Sequence, residues 1–173
     1  QGNYDGIVNV SGSRGLKQLS NEFNDMTKAI ISREKTISFQ AFHDQLTHLP
    51  NRNALVTAIE KRQTSKHDFL IVQLSILRAE EIAETLGYQA SDYVINEVAN
   101  RIENTPHDFD CYHLGNENFV LLIENQNIDA LINTLQSALT MQCQFQNIHL
   151  HLQFTFGVVI ASQPPNCSVA ALL

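Results

Sequence analysis

The stretch CYHLGNENFVLL, residues 111–122, sets the tightest limit on the fold. Two short apolar runs flank a polar Gly-Asn-Glu-Asn segment, the pattern of an antiparallel hairpin with strands at about 110–114 and 119–124. Gly115, Asn116 and Asn118 suit a hairpin tip because glycine and asparagine tolerate positive φ, and Phe119 reads as core. Glu117 raises a second question, because a plain turn has no need of a carboxylate between two carboxamides. The loop has equally the form of an altered active site.

The surrounding pattern is mixed. Pro50 breaks a preceding helix, and Asn51 is a good N-cap for another that runs to about residue 63. DFLIVQLSI, 68–76, is short and dense in aliphatic residues, as a buried strand is. A helix from about 78 ends at Gly87, a natural C′ residue, and a further helix at about 91–104 puts Val94, Val98 and Ile102 on one face. Asp92 then reads as an acidic residue at a helix start, favoured there by the helix dipole. IDALINTLQSALTMQC is an amphipathic helix, and IHLHLQFTFGVVIAS, 148–162, is expected as one last strand. After QPPN, CSVAALL reads as the first turn of a helix. The order β-α-α-β-β-α-β predicts an α/β sandwich, with a central, mainly antiparallel sheet flanked by helices.

Ahead of that domain, residues 1–15 are rich in Gly, Ser and Asn and read as a connector. From there Leu16, Leu19, Phe23, Met26, Ile30 and Ile37 fall at alternating spacings of three and four, as heptad a and d positions do. A helix with one apolar stripe buries it against its own chain or against a second copy. Nothing before residue 16 can serve as a core, so a parallel two-stranded coiled coil over 16–43 is expected, with Arg33 and Gln40 as polar seam positions. The partner implied is a second copy of the chain.

A formal net charge of −7, with only 11 Lys and Arg scattered along 173 residues, argues against binding nucleic acid. Cys111, Cys143 and Cys167 are widely spaced, with no CxxC, which argues against a disulfide framework or a thiolate zinc site. His149 and His151 share a strand face but lack a nearby third ligand, so no metal centre is expected from them. No run approaches a membrane span or a signal peptide, and a chain beginning at Gln1 reads as a fragment whose targeting segment lies upstream.

Four segments in order carry a resemblance. FHDQLTHLPNRNAL is similar to the D-x-LTGLPNR motif of GGDEF domains, the diguanylate cyclases that condense two GTP into cyclic di-GMP. LGYQASDYVINEVANRI resembles their G-H-x-x-GD-x-x-L helix, and HLGNENFVLLI stands where they carry R-x-GGDEF-x-x-L. Upstream, LKQLSNEFNDMTKAI resembles the last helix of a HAMP linker continuing into a signalling helix. The resemblance implies a GGDEF, nucleotidyl-cyclase-like palm domain at 44–173, C-terminally truncated. It implies a HAMP second helix and signalling helix at 16–43, and a HAMP remnant at 1–15.

The resemblance also locates the chemistry. In the family one metal carboxylate lies on the first strand and another in the hairpin loop, and these positions fall on Ser75 and Glu117. A serine cannot supply the anionic oxygen that Mg²⁺ prefers. The family's phosphate-binding lysine aligns with Glu80. At about 4 Å and an effective dielectric of about 20, one such charge pair is worth on the order of 4 kcal/mol, and here its sign is reversed. Asn116 replaces the second glycine, and Asn118 replaces the acid after the metal ligand. Asp92 matches the aspartate that reads guanine, while Ala83 replaces the asparagine that assists it. The product-inhibition motif R-x-x-D would fall on PHDF, 106–109, and is missing.

The resemblance therefore implies a degenerate domain with no catalytic residues and no bound cofactor, Mg²⁺ and GTP being conceivable only as residual ligands of Asp92 and Glu117. Its setting would be a membrane regulator of the LapD type, where HAMP, GGDEF and EAL domains follow one another. The domain would then lie at the cytoplasmic face of a bacterial inner membrane, relaying a sensor's signal to an EAL domain downstream. The alternatives are a GTP-binding regulatory domain without turnover, an active cyclase with an unusual loop, and a loop that binds a protein partner.

Overall fold

A computed structural model describes residues 14–64, 69–106, 108–124 and 128–161. The connector reading of 1–13, the helix expected at CSVAALL, Cys167 and the side chain of Leu16 lie outside the described residues. The chain divides into two compact units, 1–41 and 42–173.

The described residues of the first unit form one helix, α1, Arg14–Phe42, whose last residue opens the second unit. The stripe anticipated for it is real and bare: Leu19 and Ile37 are each 64% exposed and Met26 61%. Phe23 and Ile30 are exposed as well.

In the second unit the 44–50 turn leads to α2, Arg52–Thr64, then β1, Phe69–Ile76. Next come α3, Ala79–Leu86, and α4, Tyr88–Glu103, followed by the hairpin β2, Phe109–Gly115, and β3, Asn118–Glu124. The rest is α5, Ile128–Leu139, with β4, Cys143–Phe145, β5, Ile148–Leu150, and β6, Phe154–Ala161. The sheet runs β2-β3-β1-β6 and every pairing is antiparallel. This is the α/β architecture expected, with a mainly antiparallel sheet flanked by helices.

Strand alternation divides the core. Val72, Leu74 and Ile76 of β1 and Phe119, Leu121 and Ile123 of β3 pack with Val94, Val98 and Ile102 of α4 and Leu131, Leu135 and Leu139 of α5. The alternate residues Phe69, Ile71, Val120 and Leu122 pack with Leu55 and Ile59 of α2. Phe119 is fully buried, as core. Asn51 caps α2, its Oδ1 accepting the N–H of Asn53 at 2.9 Å and of Ala54 at 3.3 Å.

Two expectations are corrected. The single strand at 148–162 is two: β5 pairs with β4 in a separate hairpin, and only 154–161 joins the main sheet. The turn between β4 and β5 uses Gln146 at φ 53, a residue type that gives no turn signal. The helix expected from 91 starts at Tyr88, because Gly87, at φ 87 and ψ 165, closes α3 and opens α4 with no loop between them.

Candidate functional site

A cleft of about 690 Å³ opens where the 44–50 turn, α3, α4 and the hairpin loop meet. At the end of β1 the chain turns through Arg78, in the left-handed region at φ 61, and enters α3. Glu80, Ala83 and Glu84, spaced as one helical face, line one wall. Tyr88, Ser91 and Asp92 of α4 continue it, and Gly115, Asn116 and Glu117 close the other side.

The loop is tied down residue by residue. Gly115 and Asn116 take φ of 99 and 51, the left-handed values their side chains permit. The Asn116 carbonyl lies 3.0 Å from His113 Nε2. The Glu117 carbonyl accepts the Ile76 N–H at 3.0 Å. The Ser75 hydroxyl donates to Asn118 Oδ1 at 2.6 Å across the β1–β3 pairing.

The structure thus brings Glu80, Ala83, Asp92, Gly115, Asn116 and Glu117 to one cleft. Ser75 and Asn118 are half-buried and pair with each other beside it, and Phe119 lies beneath in the core. The reading of Asp92 as a helix-start residue is corrected: α4 begins four residues earlier, and its first turn holds no acid.

Five polar residues of the cleft escaped the sequence reading: Asp44, Glu84, Tyr88, Ser91 and His113. Glu84 was within reach, one helical turn after Glu80. Asp44 organises the turn after α1, its Oδ1 accepting from the N–H groups of Leu46 at 3.1 Å and Thr47 at 2.9 Å and from the Thr47 hydroxyl at 3.0 Å. Burial pushes its carboxyl up, but the Thr47 N–H and then His113 more than offset this, leaving it below the usual value. His113, 2% exposed, places Nδ1 3.0 Å from Asp44 Oδ1.

The cleft is acidic. Asp44, Glu80, Glu84, Asp92 and Glu117 line it, and no Lys or Arg is among its lining residues. Among the described residues, no three His, Cys, Asp or Glu side chains come together to hold a metal ion. Cys111, away from the cleft, has its thiol pushed far up by burial, then by the charge of Glu103, and Cys143 is raised chiefly by burial.

An antiparallel sheet flanked by helices, with a hairpin loop at the mouth of a cleft, makes this a cyclase-like α/β fold. The family model for the diguanylate cyclase GGDEF domain matches residues 41–173, and the chain belongs to that family. The diguanylate cyclase TpbB of Pseudomonas aeruginosa is 28% identical over 128 residues, covering 67% of this chain and 29% of TpbB. The coiled coil and GGDEF domain of DgcB from Caulobacter crescentus, solved with c-di-GMP, superposes with a TM-score of 0.71 at 16% identity, covering 86% of this chain and 84% of that one. The S helix-GGDEF-EAL portion of Vibrio cholerae LapD, bound to c-di-GMP, gives a TM-score of 0.64 at 20% identity, covering 84% of this chain and 34% of that one. The chain spans less than a third of the length of the curated cyclases it matches.

Proposed function

We propose that this GGDEF domain has lost its cyclase chemistry and serves as a relay in cyclic di-GMP signalling. One observation carries the reading: Glu80, which the sequence resemblance aligns with the family's phosphate-binding lysine, lines a cleft with four other acids and no Lys or Arg among its lining residues. Transfer between two triphosphates depends on neutralising phosphate charge, and this cleft opposes it. The donor set also fails to fit a divalent metal. Ser75, which the resemblance aligns with the family's first-strand ligand, is a neutral hydroxyl engaged with Asn118, and on that alignment Glu117 lacks an anionic partner.

The relay would act through α1. Its bare stripe, Leu19, Phe23, Met26, Ile30 and Ile37 with Leu16 at its head, suits a parallel pairing with a second copy. DgcB carries a coiled coil and LapD an S helix ahead of its GGDEF and EAL domains. By analogy with LapD, the domain would belong to a protein at the cytoplasmic face of the inner membrane and pass a change in helix pairing to an EAL domain downstream.

Incubating the full-length protein with GTP and Mg²⁺ tests this. No cyclic di-GMP should form, and clear turnover would defeat the proposal. A second reading, GTP held without turnover, draws support from Asp92 and Glu117 lining the same cleft. Calorimetry separates the two: micromolar GTP binding abolished by Asp92→Ala favours the second.

A further inference from the structure

Both ring nitrogens of His113 face oxygens that can only accept. Nε2 lies 3.0 Å from the Asn116 carbonyl oxygen, and Nδ1 lies 3.0 Å from Asp44 Oδ1. A neutral imidazole carries one N–H, so it presents a lone pair to one of these two oxygens. Only the imidazolium suits both.

The surroundings push the same way. The Asp44 carboxyl, held below its usual value, is ionised at neutral pH. Its Oδ1 already accepts from Leu46, from the Thr47 N–H and from the Thr47 hydroxyl. The approach of Nδ1 lacks hydrogen-bond alignment, so what acts there is the attraction of opposite charges. Glu117 on the loop and Glu80, Glu84 and Asp92 on α3 and α4 face the same cleft, with no Lys or Arg among its lining residues. Beneath the ring, Phe119 stacks at 4.7 Å and 32°, a contact that also favours a cation.

We propose that His113 is a proton-operated latch tying the 44–50 turn to the hairpin loop. Charged, it grips Asp44 and Asn116 together; neutral, it releases one of them. The His113 backbone N–H donates to the Pro50 carbonyl at 2.9 Å in either state, so titration acts on the side-chain contacts alone. The proton belongs to the gripped form, so the grip is complete when the ring is protonated and fades as rising pH removes the proton. The inference holds whether or not a nucleotide enters the cleft.

The test is imidazole ¹⁵N spectroscopy and amide hydrogen exchange on the 173-residue protein between about pH 5 and pH 8. His113 should show both nitrogens protonated at the acid end. After correction for intrinsic exchange, protection at Leu46, Thr47 and Ile76 should fall severalfold across the range. In His113→Gln that protection should stay flat. A neutral His113 ring at the acid end overturns the proposal, as does an equal pH dependence in His113→Gln. Should the variant fail to fold, the ring spectrum of the unaltered protein decides alone.

Discussion

The α1 stripe and the strand β3 are both dense in large apolar side chains, and they meet opposite fates. In β3 every residue from Phe119 to Ile123 is buried, those on one face under α4 and α5 and those on the other under α2. On α1, Leu19, Phe23, Met26, Ile30 and Ile37 all remain exposed. A sheet strand between two helical layers finds neighbours for both faces within its own unit. A lone helix has one stripe and needs a second surface to cover it. The strand β3 is therefore covered on both faces, whereas α1 leaves its apolar residues uncovered in a single chain.

The contrast is broken most severely by charging the stripe. Met26→Glu with Ile37→Glu removes apolar side chains worth about 1.5–3 kcal/mol each when buried, on both copies of a pairing. Sedimentation velocity should show a dimer replaced by monomer, with the unfolding midpoint of the 42–173 unit unmoved. Next in size is Leu121→Ala, expected to cost about 2–5 kcal/mol in urea denaturation because Leu121 is fully buried. Leu19→Ala should leave that same transition within about 0.5 kcal/mol. Between these two lies Asn51→Ala, which removes the α2 cap and should cost about 1 kcal/mol by the same measurement. If Leu19→Ala proved as damaging as Leu121→Ala, the division into a finished and an unfinished region would be wrong.

Much of the architecture follows from local pattern. The alternation in 119–123, the cap at Asn51 and the heptad spacing each state their structure directly, because one short-range rule decides each. Failures came where a rule had two uses. Gly87 marks the end of α3, as a C′ glycine should, but nothing local announces that it also begins α4. In IHLHLQFTF the two-residue period continues across 151–153, so the break between β5 and β6 leaves no trace in the alternation.

The cleft divided in the same way. Positions carried by motif, such as Glu80, Asp92 and Glu117, arrive together. His113 and Asp44 lie 69 positions apart in sequence, and only the folded hairpin brings the imidazole to 3.0 Å from the carboxylate. Glu84 was missed although helical spacing from Glu80 places it on the same wall.

Gly87 carries one more consequence. Glu80, Ala83 and Glu84 on α3 and Tyr88, Ser91 and Asp92 on α4 form a continuous wall, and one residue at φ 87 joins the two helices. The turn of the chain from one helix to the other thus passes through a single residue of positive φ. There is open space around it for a side chain, since a Cβ at Gly87 would meet nothing within 4 Å, so only the left-handed φ resists replacement. Two helices that line the cleft are thus joined at a position where bulk is free and backbone conformation is not.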